Sequence, residues 1–356
     1  MKKIFCAAFC TLFFAACLFF AAGAFLGGED DISEGRELAA FPSVKTEEGT
    51  FNTAFFTEFD SWLTDHFSLR RSLITLDGWV KSTLFATGSD QVIVGRDDFL
   101  FLADTAADFT GESAMTDAEI AAAADALAAL SARAADYGAR LIVAVAPNKN
   151  TVYPEKMPVV YRRSDSPSNM DRLHAALEER GILYTDLAAA LEDAETLLYH
   201  RRDTHWNGAG ALAAYNAIMD TAGIAHEDYS AYPLVTTADF RGDLDELLYP
   251  SAELYDENIL PEFDFSSQFI YTSNYLSPMD MIITTRGKGE GKLLVFRDSF
   301  GSALIPWFSA ACGEVHYERA TPYRIDILKQ FDADWVIVEI AERNLPKLSE
   351  YIAVNP

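Results

Sequence analysis

The chain has 356 residues, half of them hydrophobic, which is enough for one large domain with a buried core and a smaller appendage. Its formal net charge is −26, from 54 Asp and Glu against 28 Lys and Arg, and such a surface repels phosphate backbones, so nucleic acid is a poor candidate partner. Cys6, Cys10 and Cys17 lie near the N-terminus and leave Cys312 alone, which rules out an internal disulfide, a C-x-x-C redox pair and a cysteine zinc site in the rest of the chain.

Lys2 and Lys3 precede an apolar run from Ile4 to Leu26, followed by Glu29, Asp30 and Asp31. That run is long enough to span a bilayer, and the flanking charges place the remainder outside the cytoplasm. Residues 1–28 therefore read as a signal-anchor, with a cleaved signal peptide ending near Ala22-Gly23-Ala24 as the alternative. Lipidation at Cys17 is a weaker reading, because the residues after it stay apolar. Residues 29–50 are polar and read as a juxtamembrane linker. From Phe51 to Leu76 the apolar residues, among them Phe55, Phe59, Trp62 and Leu63, recur at helical spacing. Gln91–Leu102 alternates around Gly95-Arg96-Asp97-Asp98, a hairpin pattern.

Helices and strands then alternate. Thr116 and Glu119 have the spacing of a capping box and open an alanine-rich helix that runs to about Tyr137. Strand 141–146, helix 171–180, strand 182–185, helix 187–191 and helix 209–221 follow. Residues 225–290 are irregular and rich in aromatics and acids, with strands near 267–272 and 280–284, and read as an insertion. Strand 292–296, helix 301–310, strand 313–317, helix 324–331 and strand 335–340 complete the series. Short apolar strands separated by helices imply a three-layer α/β/α fold with a mostly parallel central sheet. Reactive groups in such sheets gather at the carboxyl ends of the strands.

Two segments carry chemistry. In Asp203-Thr204-His205-Trp206-Asn207 an Asp stands two residues before a His, so one extended loop presents both on the same side. The carboxylate can hold the imidazole tautomer and steady the imidazolium. Trp206 would pack beneath the loop and Asn207 would cap the next helix. The bland alternative is a surface loop whose Asp and His bond to backbone. In Leu293–Gly301 a buried strand runs through Arg297-Asp298-Ser299 into a helix, which places Ser299 where free N–H groups favour an oxyanion, although G-x-S-x-G itself is absent. The bland alternative here is a helix cap. A serine needs a base within reach, so the two segments gain meaning together.

The D-T-H-W-N and D-S-F-G segments, in that order, resemble the DHHW and alginate O-acetyltransferase-like proteins of the SGNH hydrolase-like superfamily. The Phe51–Arg71 stretch, Val94–Phe101, and Pro147-Asn148-Lys149 with Tyr153-Pro154-Glu155 agree with this. The resemblance implies an SGNH-like catalytic domain over 51–350, with Ser299 as nucleophile, His205 as general base and acid, and Asp203 as orienter. It further implies acyl transfer, with acetyl the expected group, from an acyl donor to a cell-surface polysaccharide, with no cofactor or metal, alongside a multipass membrane O-acyltransferase. An esterase using the same triad and a non-catalytic polysaccharide-binding scaffold are the alternatives. Two positions depart from the pattern. Thr204 replaces the first His of D-H-H-W, and Arg297 stands where G-D-S has glycine, which would narrow the approach to Ser299. The asparagine block is not assigned, so the second oxyanion donor is open. Lys149 and Arg324 are candidate substrate-binding residues at strand ends, with a solvated loop lysine as the alternative for Lys149 and a structural ion pair as the alternative for Arg324. Glu339 and Arg343 are expected to pair with each other, His200 has no assigned partner, and Cys312 is expected to be buried.

Overall fold

The computed structural model describes residues 9–15, 18, 39–46, 48–66, 70–192 and 194–352. Most of the predicted signal-anchor and much of the linker lie outside the described residues. Among the described residues no helix is long and apolar enough to cross a membrane. The chain divides into two compact units, one of residues 1–89 with 245–253 and one of residues 90–244 with 254–356.

In the first unit the predicted helical stretch is two helices, α1 (Phe55–His66) and α2 (Arg70–Phe85). Trp79 stacks on Tyr249 with ring centroids 4.5 Å apart. Thr75 Oγ accepts from the Ser251 N–H at 2.9 Å, and the Arg71 guanidinium donates to the Pro250 carbonyl.

The second unit opens with the expected hairpin, β1 (Val92–Val94) antiparallel to β2 (Leu100–Leu102). After α3 (Thr105–Thr110) comes α4 (Asp117–Asp136), whose Thr116 and Glu119 exchange side chain-to-backbone bonds as a capping box. Next are β3 (Arg140–Ala146), α5 (Lys149–Val152) and α6 (Asn169–Glu179). Ser168 and Asp171 form a second capping box and start α6 two residues before the expected position. The chain continues through β4 (Leu183–Thr185), α7 (Leu187–Leu191) and α8 (Gly208–Ala222).

The stretch 225–290 has two parts. Its first half forms a separate antiparallel pair, β5 (Leu234–Phe240) with β6 (Asp256–Pro261), flanking the short α9 (Asp243–Leu248). Its second half supplies β7 (Phe269–Tyr271) and β8 (Ile282–Gly287), which join the main sheet antiparallel. Thereafter β9 (Lys292–Phe296), α10 (Ile305–Ala311), β10 (Glu314–Glu318) and β11 (Trp335–Ala341) follow in order. The expected helix after β9 begins as a 3-10 turn, Phe300–Leu304, and becomes α-helical where Pro306 sits in the first turn. The helix expected at 324–331 is a single 3-10 segment, Ile325–Lys329.

The main sheet has the order β4-β3-β11-β9-β10-β8-β7. Its first five strands are parallel, as the alternating pattern predicts. Both faces are covered. Ile142, Ala144, Val295 and Ile337 pack with α8 and α10, while Leu141, Val143, Leu294 and Val336 pack with α4 and α6. That strict alternation along wholly apolar strands is the signature of a sheet buried on both sides. Cys312 is buried in the first of these layers, and burial pushes its thiol up to about 12, so it is an inert packing residue. The chain leaves β9 for β10 and then returns to lay β11 between β9 and β3. In open α/β sheets, ligands bind outside the carboxyl ends of the strands where the order reverses in this way.

Candidate active site

At the end of β9 the chain turns through Arg297, Asp298 and Ser299. The Asp298 carboxylate fixes that turn: Oδ1 accepts from the Phe300 N–H at 3.0 Å, and Oδ2 accepts from the Ala341 N–H at 2.7 Å and Asn344 Nδ2 at 2.9 Å. The Ser299 turn is therefore tied to the end of β11, and the Phe300 N–H is committed to Asp298. Beneath it lies Glu339, fully buried, whose Oε2 accepts from the Asp298 N–H at 3.1 Å. Burial, and next the charge of Asp298, push the Glu339 carboxyl well above its ordinary range. A Cβ on Gly301 would lie 2.6 Å from both Glu339 Oε2 and Arg297 Cβ, so glycine is required for the turn to close over this acid.

Arg297 does not crowd Ser299. Its buried guanidinium turns onto the loop before β8, with Nη2 donating to the carbonyls of Pro278 at 2.7 Å and Asp280 at 3.0 Å. Nη1 donates to Ser302 Oγ at 2.9 Å. The residue in the glycine position thus braces the turn from behind.

The second segment is a tight loop closed by a bridge between Tyr199 and Trp206. Asn207 caps α8 through the Gly210 N–H at 3.0 Å, and Trp206 packs edge-on against Phe300 at 5.0 Å, both as the sequence predicts. Lys149 holds the loop from inside. Its Nζ donates to the carbonyls of His200 at 3.1 Å, Arg201 at 2.9 Å and Asp203 at 2.6 Å, and the residue is only 4% exposed. Burial pushes its pKa down to about 7 against the opposing pull of Asp203 and Asp243. The expectation that Lys149 meets an anionic sugar is therefore corrected, because all three ammonium hydrogens are spent on backbone. His200 stacks on Phe240 at 3.7 Å and contacts the Glu257 carbonyl through Nδ1 at 3.0 Å.

The two segments meet. Ser299 Oγ lies 2.8 Å from His205 Nε2, and His205 Nδ1 lies 2.8 Å from Asp203 Oδ1. Asp203 Oδ1 also accepts from the His205 N–H at 2.8 Å. Ser299 is half-buried. Burial works against the charge on His205, but the hydrogen bond and charge of Asp203 outweigh it and raise the imidazole above its ordinary range. Burial likewise opposes ionisation of Asp203, and its partners, His205 foremost, hold the carboxyl well below the usual range. The chemistry available is proton transfer from a hydroxyl to an oriented imidazole.

Three further groups surround the centre. Asp243, at the start of α9, stands 3.7 Å from His205 Nδ1. Asp203, His205 and Asp243 could each offer a ligand atom to a cation, but His205 already spends Nδ1 on Asp203 and Nε2 on Ser299. Arg343 places its guanidinium 5.3 Å from the Phe300 ring centroid and, among the described residues, makes no hydrogen bond or ion pair. The expected Glu339–Arg343 pair is thus corrected: Glu339 lies under the Ser299 turn while Arg343 stacks on the ring beside it. Arg324 pairs with the buried Glu318 at 2.8 Å and takes no part in the hydrogen bonds of the Ser299 centre among the described residues. That bond and the charge of Glu318 make Arg324 a structural ion pair, the second of the two readings its sequence position allows.

The family described as the SGNH hydrolase-like domain of acetyltransferase AlgX matches residues 92–261. Over that stretch the chain is similar to SGNH hydrolase-like, alginate O-acetyltransferase-like proteins. The SGNH match takes in the Asp203–His205 loop and ends before Ser299. Two similar sequences are each named "Probable alginate O-acetylase AlgJ". That of Pseudomonas syringae pv. tomato is 28% identical over 61% of this chain and 54% of its own length, and that of Pseudomonas fluorescens is 25% identical over 70% and 60%. The chain spans about half the length of the curated relatives it matches first. Among solved structures, a DHHW family protein from Eubacterium siraeum aligns with a TM-score of 0.52 at 19% identity, over 66% of this chain and 88% of that one. PatB1 of Bacillus cereus aligns with a TM-score of 0.52 at 15% identity, over 71% and 96%. These two likenesses show a shared fold.

Asp243 and Arg343 escaped the sequence reading as site residues. Asp243 falls in the stretch read as an insertion, with no motif around it. Arg343 follows β11 by two positions, so the rule of carboxyl strand ends marks its place but not its partner.

Proposed function

We propose that this SGNH domain is an extracytoplasmic serine O-acyltransferase that moves an acetyl group onto hydroxyls of a cell-surface polysaccharide. The observation that carries the reading is the continuous chain from Ser299 Oγ to His205 to Asp203, each step 2.8 Å. In the first step His205 Nε2 takes the Ser299 proton while Oγ bonds to the acyl carbon. The bond to the donor's leaving oxygen or sulfur then breaks, and that atom takes the proton from His205. In the second step His205 deprotonates a sugar hydroxyl, which attacks the acyl-serine, and Ser299 recovers its proton. The Ser299 N–H is one donor to the tetrahedral oxyanion, and the guanidinium of Arg343, over the neighbouring Phe300 ring, is the candidate for the second.

The acceptor reading draws on the relatives, two of which carry alginate O-acetylase in their names. The apolar run behind Lys2 and Lys3 supports placing the domain outside the cytoplasm, within reach of a membrane partner that delivers acyl groups.

The test is turnover of a chromogenic acetyl ester with and without a sugar acceptor. The account expects hydrolysis that is lost in Ser299→Ala and His205→Ala, and acetylated sugar when acceptor is present. Equal sugar binding without turnover in all three proteins would instead mark a scaffold.

A further inference from the structure

We propose that Asp243 is a positioning residue of this centre: its backbone orients Asp203, and its carboxylate stabilises the charged imidazole of His205 from the side opposite Ser299. The proposal rests on the reading of Ser299, His205 and Asp203 given above. Asp243 lies 40 residues beyond Asp203 and reaches it by a close backbone approach. A Cβ on Gly242 would collide with the Arg202 carbonyl, so only glycine lets the two segments touch here.

Three bonds fix that contact. The Asp243 N–H donates to Asp203 Oδ2 at 2.8 Å, the Thr204 N–H donates to Asp243 Oδ1 at 2.8 Å, and Thr204 Oγ donates to Asp243 Oδ2 at 2.5 Å. The first occupies the Asp203 oxygen that does not bond to His205, which leaves Oδ1 aimed at Nδ1. The other two hold the Asp243 carboxylate 3.7 Å from the same nitrogen. The imidazole therefore faces two carboxylates, one bonded directly and one set behind Thr204. A residue needed only to start a short helix would not require a charge directed at the imidazole.

The charged groups facing this contact are Asp203 and His205 from the loop and Lys149 from α5, and Arg343 also acts on His205. Burial, and next the charge of Asp203, push Asp243 up to about 6, while the His205 imidazolium pulls it down. His205 itself is raised above its ordinary value of about 6.5. The Asp243 carboxylate, 3.7 Å from His205 Nδ1, opposes loss of the imidazole proton. Neutralising Asp243 lets the proton leave at lower pH.

Asp243→Asn keeps the backbone N–H and the side-chain shape while removing the charge. NMR titration of the labelled His205 ring, alongside the pH profile of acetyl ester turnover, reads the effect. The expected result is a His205 midpoint and an acid limb both lowered by about one unit, the scale of an opposite charge within 4–6 Å. Asp243→Glu should recover part of the shift. If Asp243→Asn fails to fold, Asp243→Ser carries the same measurement. An unmoved His205 midpoint in a folded neutral variant overturns the proposal, whatever happens to turnover. Absence of turnover in the wild type would sink the functional reading, and the ring titration would still decide the role of Asp243.

Discussion

Replacing Lys149 by methionine tests whether the Asp203–His205 loop is held from within. The aliphatic stem survives this change, but the three bonds from Nζ to the carbonyls of His200, Arg201 and Asp203 are lost. Each hydrogen bond from a charged donor contributes about 1.5–3 kcal/mol. Burying the ammonium costs several kcal/mol and offsets part of that sum, so the net loss should be about 3–5 kcal/mol, the range for breaking a buried charged contact. In a domain of roughly 250 residues 1 kcal/mol moves Tm by about 2–4 °C, so circular dichroism should record a fall of around 10 °C. Turnover of an acetyl ester should drop in the same variant, because Asp203 and His205 ride on the loosened loop. A Tm within about 2 °C of wild type would refute the reasoning. So would a variant that differs only by a higher KM for an anionic sugar, since that is the signature of a substrate contact.

Three other outcomes follow from the geometry. The acid limb of kcat/KM should lie above the ordinary histidine value of about 6.5, because Asp203 raises His205 and only the neutral ring can accept the Ser299 proton; a limb well below that value in a pH series would contradict this. Gly301→Ala should cost about 1–3 kcal/mol of stability, read by thermal unfolding, because its Cβ meets the buried Glu339 and Arg297 at 2.6 Å. Arg343→Met should lower kcat by about 10²–10³, the usual loss of an oxyanion donor; steady-state kinetics on an uncharged acetyl ester would show no such loss if the arginine serves only to bind anionic sugar.

The parts of this molecule that are local in sequence could be read from it. Thr116 and Glu119 announce their helix because a capping box is closed within four positions. The alternation of Leu141 to Ala146 between two core layers follows from strand periodicity alone. The meeting of Ser299 with His205 was legible because each sits on a strand-to-loop transition whose chemistry is incomplete without the other. What stayed hidden depends on distant backbone. Lys149 has carbonyl partners, and carbonyls leave no mark on a sequence. Asp243 reaches Asp203 through an approach that only the packing of Gly242 permits. Glu339 and Arg343 have the i, i+4 spacing of a helical pair, but they stand at the end of a strand, where Glu339 turns under the Asp298 turn and Arg343 out over Phe300.

The most direct measurement is to mix the protein with a reactive acetyl ester, quench early and locate the bound acetyl group by peptide mass spectrometry. The account predicts one acetyl group on the peptide containing Ser299, discharged when a sugar acceptor is added and absent in His205→Ala. Acetylation confined to another residue, or turnover that persists in Ser299→Ala, would contradict it.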